Sequence, residues 1–168
     1  FDVMKYINVN VRRQDRLLDE KNATDLLRSG EFGFLSMVET GAEGSGAYGI
    51  PISYVWDGEG AIYFHCAPEG HKLNCIRDNS RVSFCVVGQT NVIPHKFTTA
   101  YESILVRGTA VIDISAEERM RALELILDKY SPNDKAVGLK HAEKSFHHTA
   151  IIRLDISSVS GKTKREMP

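Results

Sequence analysis

The sequence predicts a mainly β, α+β domain whose antiparallel strands curl into a barrel. Three observations carry that expectation. Strand-like runs follow one another through turn signals in meander order, with helical patterns between them. One run, Tyr101–Ile114, is about 14 residues long, and a strand of that length in a small domain bends around a barrel. The strands are also of uneven length, which suits a barrel better than a tidy sandwich. The 168 residues fit a single domain, 1–168, with an N-terminal arm at 1–18.

The arm is polar and mixed, carrying Arg12, Arg13 and Arg16. Residues 19–29 read as a short helix, with Asp19 as cap, Leu26 and Leu27 as apolar face and Gly30 at the end. Phe32–Val38 is the first strand. Gly41, Gly44 and Gly46 mark a turn, and Ala47–Trp56 is a second strand carrying Pro51. Asp57-Gly58-Glu59-Gly60 is a hairpin turn into Ala61–Cys66. Pro68-Glu69-Gly70 breaks that strand, and His71–Arg77 reads as one or two helical turns. Arg81–Val87 alternates as a strand and Tyr101–Ile114 follows as the long one. Ser115-Ala116-Glu117-Glu118 is a capping box, after which Met120, Leu123, Leu127 and Tyr130 recur at helical spacing, so 116–130 is a helix. Residues 131–147 are polar and loop-like, and Thr149–Val159 is the last strand.

Bulk properties narrow the function. Twenty-one Lys and Arg face 22 Asp and Glu, for a formal charge of −1, so the surface is not the basic one that nucleic acid requires. No apolar run approaches the ~20 residues needed to cross a bilayer as a helix. Phe1-Asp2-Val3-Met4 has no basic region followed by an apolar stretch, so no secretory signal is expected and a cytoplasmic location is. Cys66, Cys75 and Cys85 are odd in number, lie in or beside apolar runs and match no zinc spacing; buried free thiols in a reducing compartment are expected. A chain of this length buries roughly 70% of its unfolded surface without disulfide or metal staples.

The candidate chemistry starts at Cys66-Ala67-Pro68-Glu69-Gly70-His71-Lys72. A glycine followed by basic residues at a helix start suits an anion, because free N–H groups, the helix dipole and the Lys72 charge point the same way. The same residues also fit an ordinary β-to-α turn with a solvated lysine. His65 ends a strand, where histidines are more often structural than catalytic. His147 and His148 are adjacent, so a strand would point them oppositely, and His95 and His141 have no partners in sequence; no metal site is expected. Ser36, Ser53 and Ser103 fall on strands without a Gly-x-Ser-x-Gly elbow, and Gly41, Gly44 and Gly46 do not open a helix as a dinucleotide fingerprint requires.

Five pieces in order resemble the flavin-binding split-barrel proteins related to pyridoxamine 5′-phosphate oxidase, and within them the nitroimidazole-resistance group. They are Arg12–Arg16; Gly49-Ile50-Pro51-Ile52-Ser53-Tyr54; Ile62–Ala67 with Glu69–Leu73; Tyr101–Ala110; and Ser160-Gly161-Lys162, covering roughly 11–163. The resemblance implies a six-stranded antiparallel split β-barrel with flanking helices and a homodimer with flavin sites at its interface. It implies FMN as cofactor, with FAD the alternative. Ile50, Pro51, Ile52, Ser53 and Tyr54 would lie along the flavin ring, contacting it largely through backbone groups, with His65 and Cys66 also lining it. His71 and Lys72 would bind the phosphate, where the family often has arginine in place of His71. Ser103 and Lys162 would approach the cofactor from the long strand and the C-terminal segment.

The implied activity is FMN-dependent reduction of small oxidised acceptors, nitroaromatic compounds such as 5-nitroimidazoles foremost, with His65 as proton donor or substrate-orienting group. Two alternatives stand beside it. One is a pyridoxamine 5′-phosphate oxidase, which needs a second phosphate site that Arg153, Lys162, Lys164 and Arg165 could supply. The other is a flavin- or haem-binding protein without turnover.

Overall fold

The computed structural model describes residues 5–41 and 45–165; Phe1–Met4 of the expected arm and Gly44 of the expected turn lie outside them. Eight strands form one sheet. β1 (Lys5–Tyr6) pairs parallel with the last strand, and every other pairing is antiparallel. β2 (Phe32–Glu39), β3 (Gly46–Ser53), β5 (Ala61–Cys66), β6 (Arg81–Ile93), β7 (Thr98–Val111) and β8 (Ala150–Lys164) are the six long strands expected. β4 (Val55–Trp56) is the severed end of the run read as one strand over Ala47–Trp56.

That severing closes the barrel. The strands lie in the order β3-β2-β6-β7-β8-β5-β4, so β3 and β4 sit at opposite edges of the sheet. Only Tyr54 separates them along the chain, and the sheet must roll until its two edges meet there. At this seam Tyr54 leaves the ladder, and its backbone groups need other partners. They come from the end of α3 (Ala116–Tyr130): the Tyr130 hydroxyl accepts from Tyr54 N at 3.1 Å and lies 2.6 Å from Tyr54 O, and Lys129 Nζ donates to Tyr54 O at 3.0 Å and to Gly30 O. Lys129 Nζ also lies 3.9 Å from the centre of the Tyr54 ring.

Alternation builds the core. On β2, Gly33, Leu35 and Met37 are buried while Phe32, Phe34 and Ser36 are exposed. Leu35, Phe64, Phe84, Val86, Ile104, Val106, Ile152 and Leu154 meet inside with Tyr54, whose ring stands edge-on to Phe84 at 4.9 Å and whose hydroxyl donates to Leu27 O at 2.6 Å. α1 (Glu20–Ser29) is capped by Asp19, which accepts from Asn22 N at 2.9 Å, and packs Ala23, Leu26 and Leu27 on the barrel. α2 (His71–Asp78) buries Leu73, Cys75 and Ile76. Ser115 caps α3 as the capping box predicts, accepting from Glu118 N at 3.1 Å. In the Asp57–Gly60 hairpin, Asp57 Oδ1 accepts from Glu59 N and Ala61 N, and Gly58 takes φ +85°.

Several boundaries differ from the sequence expectation. Residues 131–147 are not a loop: α4 (Lys135–Lys144) lies there, polar enough that only Ala142 is buried. It packs closely on α3, where a β carbon on Gly138 would collide with Leu127. β6 runs on to Ile93, beyond the expected Val87, past an irregularity between Val87 and Thr90, because Thr90–Ile93 pair with Thr98–Tyr101 as a hairpin of mostly polar residues. β8 likewise runs on to Lys164.

Candidate functional site

The turn after β5 has the chemistry of an anion seat. Gly70 takes φ +150°, in the region that favours glycine, and has no side chain to cap α2. Asn74 N already returns to Gly70 O, so the amides of His71, Lys72 and Leu73 form the uncapped first turn. Lys72 stands close enough that its charge opposes the burial that pushes the Cys66 thiol up.

His71 is more committed than its place in the sequence suggests. Its ring stands edge-on to Tyr48 at 4.6 Å, and Nε2 lies 3.5 Å from Cys75 Sγ and 3.7 Å from Glu39 Oε1. A nitrogen facing a carboxylate is poorly placed to serve a second anion, so at this turn Lys72 and the uncapped amides are the groups better placed to meet one. Tyr48, Glu39 and Cys75 are the residues that sequence reading missed here; the i, i+4 spacing of His71 and Cys75 was the available signal.

His65 and Cys66 do not face the same way. Alternation along β5 sends the exposed His65 out of the barrel and the half-buried Cys66 inward, beside the start of α2. On β3, Pro51 and Ser53 are exposed and Ile50 and Ile52 lean on the core. β3 pairs with β2 alone, leaving its other edge open for backbone contacts. Tyr54 corrects the expectation for this strand. It is 1% exposed, its side chain fills the core, and its N–H and C=O are taken by α3, so it holds the seam rather than a ligand.

Ser103 and Lys162 are direct partners across β7 and β8, but far from the α2 turn. His65 pairs with Ile151, and Lys162 lies eleven residues further along the same strand, about 36 Å of strand at ~3.3 Å per residue. His65 with the α2 turn and Ser103 with Lys162 therefore lie well apart along β8, while Ile50 and Pro51 register across the sheet with Val159 and Ser160. On the outer face between β3 and β7 runs an apolar stripe: Phe32 and Phe34 stand edge-to-face at 6.0 Å and are about half exposed, Val87 is 48% exposed, and half-buried Cys85 and Leu105 continue the row from Phe34. Phe32 and Phe34 were legible as outward-facing, since they share the face of Ser36.

Of the basic residues available for a second phosphate site, Arg153 is already occupied, donating to both oxygens of Glu118 at 2.5 and 2.8 Å and to Asp155 at 2.8 Å. Among the described residues no group of three His, Cys, Asp or Glu is arranged to hold a metal ion, and no helix is long and apolar enough to cross a membrane. Cys75 is buried as a free thiol, while Cys66 and Cys85 are half-buried.

The sequence matches the family described as pyridoxamine 5′-phosphate oxidase over residues 19–163. No curated protein matches it. Among solved structures it is similar to a candidate 5-nitroimidazole antibiotic resistance protein of Bacteroides thetaiotaomicron, at TM-score 0.68 and 18% identity over 88% of this chain and 86% of that one. An FAD-binding protein of Mesorhizobium loti gives 0.65 and 21% over 89% and 98%. An FAD- and haem-binding protein of Mycobacterium smegmatis gives 0.66 and 17% over 89% and 73%. At these identities the likeness shows the fold alone.

Proposed function

This chain belongs to the pyridoxamine 5′-phosphate oxidase family, a flavin-binding family, and from that premise we propose that it is a homodimeric FMN-dependent reductase of small oxidised acceptors. The observation that carries this reading is the distance between two groups of candidate residues, with an open apolar stripe between β3 and β7. Within one copy, His65 and the α2 turn lie eleven residues of β8 away from Lys162 and its partner Ser103. Two copies meeting over the stripe can bring the two groups together, each lending Ser103 and Lys162 to the other's α2 turn while burying Phe32, Phe34 and Val87.

The residues fit the cofactor. Lys72 and the uncapped amides of α2 hold the phosphate dianion, and the open edge of β3 along Ile50–Ser53 offers backbone groups to the ring. A partner lysine stabilises negative charge on the ring system. When bound, the flavin supplies a two-electron store. His65, exposed on β5, holds a proton on a ring nitrogen and hands it to the acceptor, because nitro reduction consumes protons with electrons. A nitroaromatic such as a 5-nitroimidazole is the favoured acceptor, on the motif order and the likeness to the Bacteroides protein. The three free thiols suit a reducing cytoplasm. The M. loti and M. smegmatis likenesses favour a second reading, FAD or haem held without turnover. The oxidase reading loses ground because Arg153 is bound to Glu118 and Asp155.

The visible spectrum of the purified chain, with mass analysis of the released cofactor, tests the first step: FMN is expected, and a colourless protein that fails to quench FMN fluorescence would end the proposal. Lys72→Ala is expected to weaken FMN about ten- to a hundredfold and riboflavin little, since only FMN carries the anion. For His65→Ala, flavin reduction should persist while reoxidation by a nitroimidazole slows by ~10²–10⁴-fold. Recovery in His65→Gln would make His65 an orienting group instead.

A further inference from the structure

We propose that the outer face of β2, β6, β7 and β8 carries a second oxyanion site, separate from the α2 turn, that takes a phosphate or phosphate monoester between Arg81 and Arg107. A groove of about 550 Å³ lies there. Register builds it: Ser36 pairs with Ser83, Ser83 with Arg107 and Arg107 with Ser158, one row across four strands. Arg81 stands in the next outward row, opposite Thr109. The opposite face of these strands carries the buried Leu35, Met37, Val82, Phe84 and Val106, so the row's side chains have no direction but outward.

A bulge completes the groove. Arg107 pairs with Ser158 but Gly108 pairs with Ile156, leaving Ser157 as the extra residue, and both serines line the groove. The bulged strand presses so closely on β7 that a β carbon at Gly108 would collide with Asp155 O. Glycine at this position therefore lets the bulged strand pass close to β7, and the bulge sets Ser157 beside Ser158 on the groove's lining.

Among the described residues, none that lines the groove is acidic. Arg81 and Arg107 are diagonal neighbours on paired strands, with β carbons roughly 7 Å apart, and their guanidinium groups repel. Among the described residues neither guanidinium has an ion-pair partner. The acid on the Arg81 row, Asp155, is held by Arg153 at 2.8 Å. Two positive charges and a set of hydroxyl donors match a phosphoryl group of about −1.5 to −2 charge with three acceptor oxygens. A carboxylate, with one charge and two oxygens, leaves donors unmet.

Calorimetric titration of the full chain loaded with one FMN per chain, so that the α2 turn is filled, with inorganic phosphate at low ionic strength, tests the site. One phosphate per chain is expected to bind saturably, with acetate failing to displace it. Arg107→Gln should weaken phosphate about ten- to a hundredfold. Arg107→Lys should keep part of the affinity, because it keeps the charge and loses the fork. The Arg81→Gln/Arg107→Gln double variant should abolish binding. Absence of saturable binding, its survival in the double variant, or equal competition by acetate would each overturn the proposal. So would a double variant that weakens FMN but not riboflavin, since the groove would then be the flavin's own phosphate seat. With the α2 turn filled, the phosphate titration reads the groove alone, and the spectrum of the bound flavin reports on the reductase reading separately.

Discussion

Two regions of the barrel treat their polar and apolar groups in opposite ways. At the seam, where Tyr54 steps from one sheet edge to the other, every group finds a partner within the chain. Its hydroxyl goes to Leu27 O, its backbone to Lys129 and Tyr130, and its ring to Phe84 and the Lys129 ammonium. On the outer face of β2, β6 and β7, two phenylalanines and a valine stand about half exposed, and two arginines have no ion-pair partner among the described residues. The seam is built to keep the barrel shut. On the proposals above, the outer face is completed by something outside the chain, and that contrast would separate structural residues from functional ones more sharply than residue type does.

The largest expected effect lies on the seam side. Phe84 is fully buried between the rings of Tyr54 and Phe64, at 4.9 and 5.1 Å. Phe84→Ala should cost about 3–5 kcal/mol in a denaturant titration, through lost burial and the cavity left behind. Next comes Tyr130→Phe, which keeps the ring and removes the hydroxyl that serves Tyr54. About 1–3 kcal/mol is expected, the cost of stranding partly buried backbone groups. A neutral result would mean that water can replace Tyr130 and that the seam is wetter than its partners imply.

A smaller effect should appear in the pH dependence. Half-burial pulls Lys129 down from 10.5 to about 8, against the opposing influence of Glu31's charge. Between those values the unfolded chain binds more protons than the folded one, so Lys129 makes stability rise as pH climbs from about 8 to 10.5. Below about 8 both states are protonated and its contribution is flat. Wild type should therefore gain on Lys129→Met across that window, by under about 1 kcal/mol because the ammonium is half exposed. An unchanging gap would show that the seam lysine is solvated.

Much of this was legible in the sequence. The six long strands announce themselves by alternation and by the Gly and Pro punctuation between them, and the capping box at Ser115 marks α3. The break at Tyr54 was not, because Tyr48, Ile50, Ile52, Tyr54 and Trp56 alternate without interruption and only the rolling of the sheet divides them. α4 was hidden because it is polar on most sides and held by its packing on α3. At the candidate site, Gly70-His71-Lys72 was readable as an anion turn from residue types alone. What residue types do not encode is register: nothing in the sequence says that Lys162 sits eleven residues of β8 away from His65's partner, or that Ser36, Ser83, Arg107 and Ser158 fall in one row.

The smallest stability effect should come from the most visible aromatic change. Phe34 is 45% exposed and pairs with Pro51 on one side and Cys85 on the other. Phe34→Thr removes the ring while keeping a β-branched residue suited to a strand. In dilute protein, where single chains dominate, unfolding should shift by no more than about 0.5 kcal/mol, as for an ordinary surface substitution. At higher concentration the two proteins should part. If the stripe is where two copies meet, the wild type gains stability with concentration by mass action, and the variant gains less. Sedimentation velocity should then find the variant as the smaller species, and the same substitution should weaken FMN, because the second copy's Ser103 and Lys162 are withdrawn from the site. A variant that unfolds like Phe84→Ala at every concentration would erase the distinction between the two regions. One that stays as associated as the wild type and binds FMN equally well would mean the copies meet elsewhere, leaving the stripe without a part in assembly.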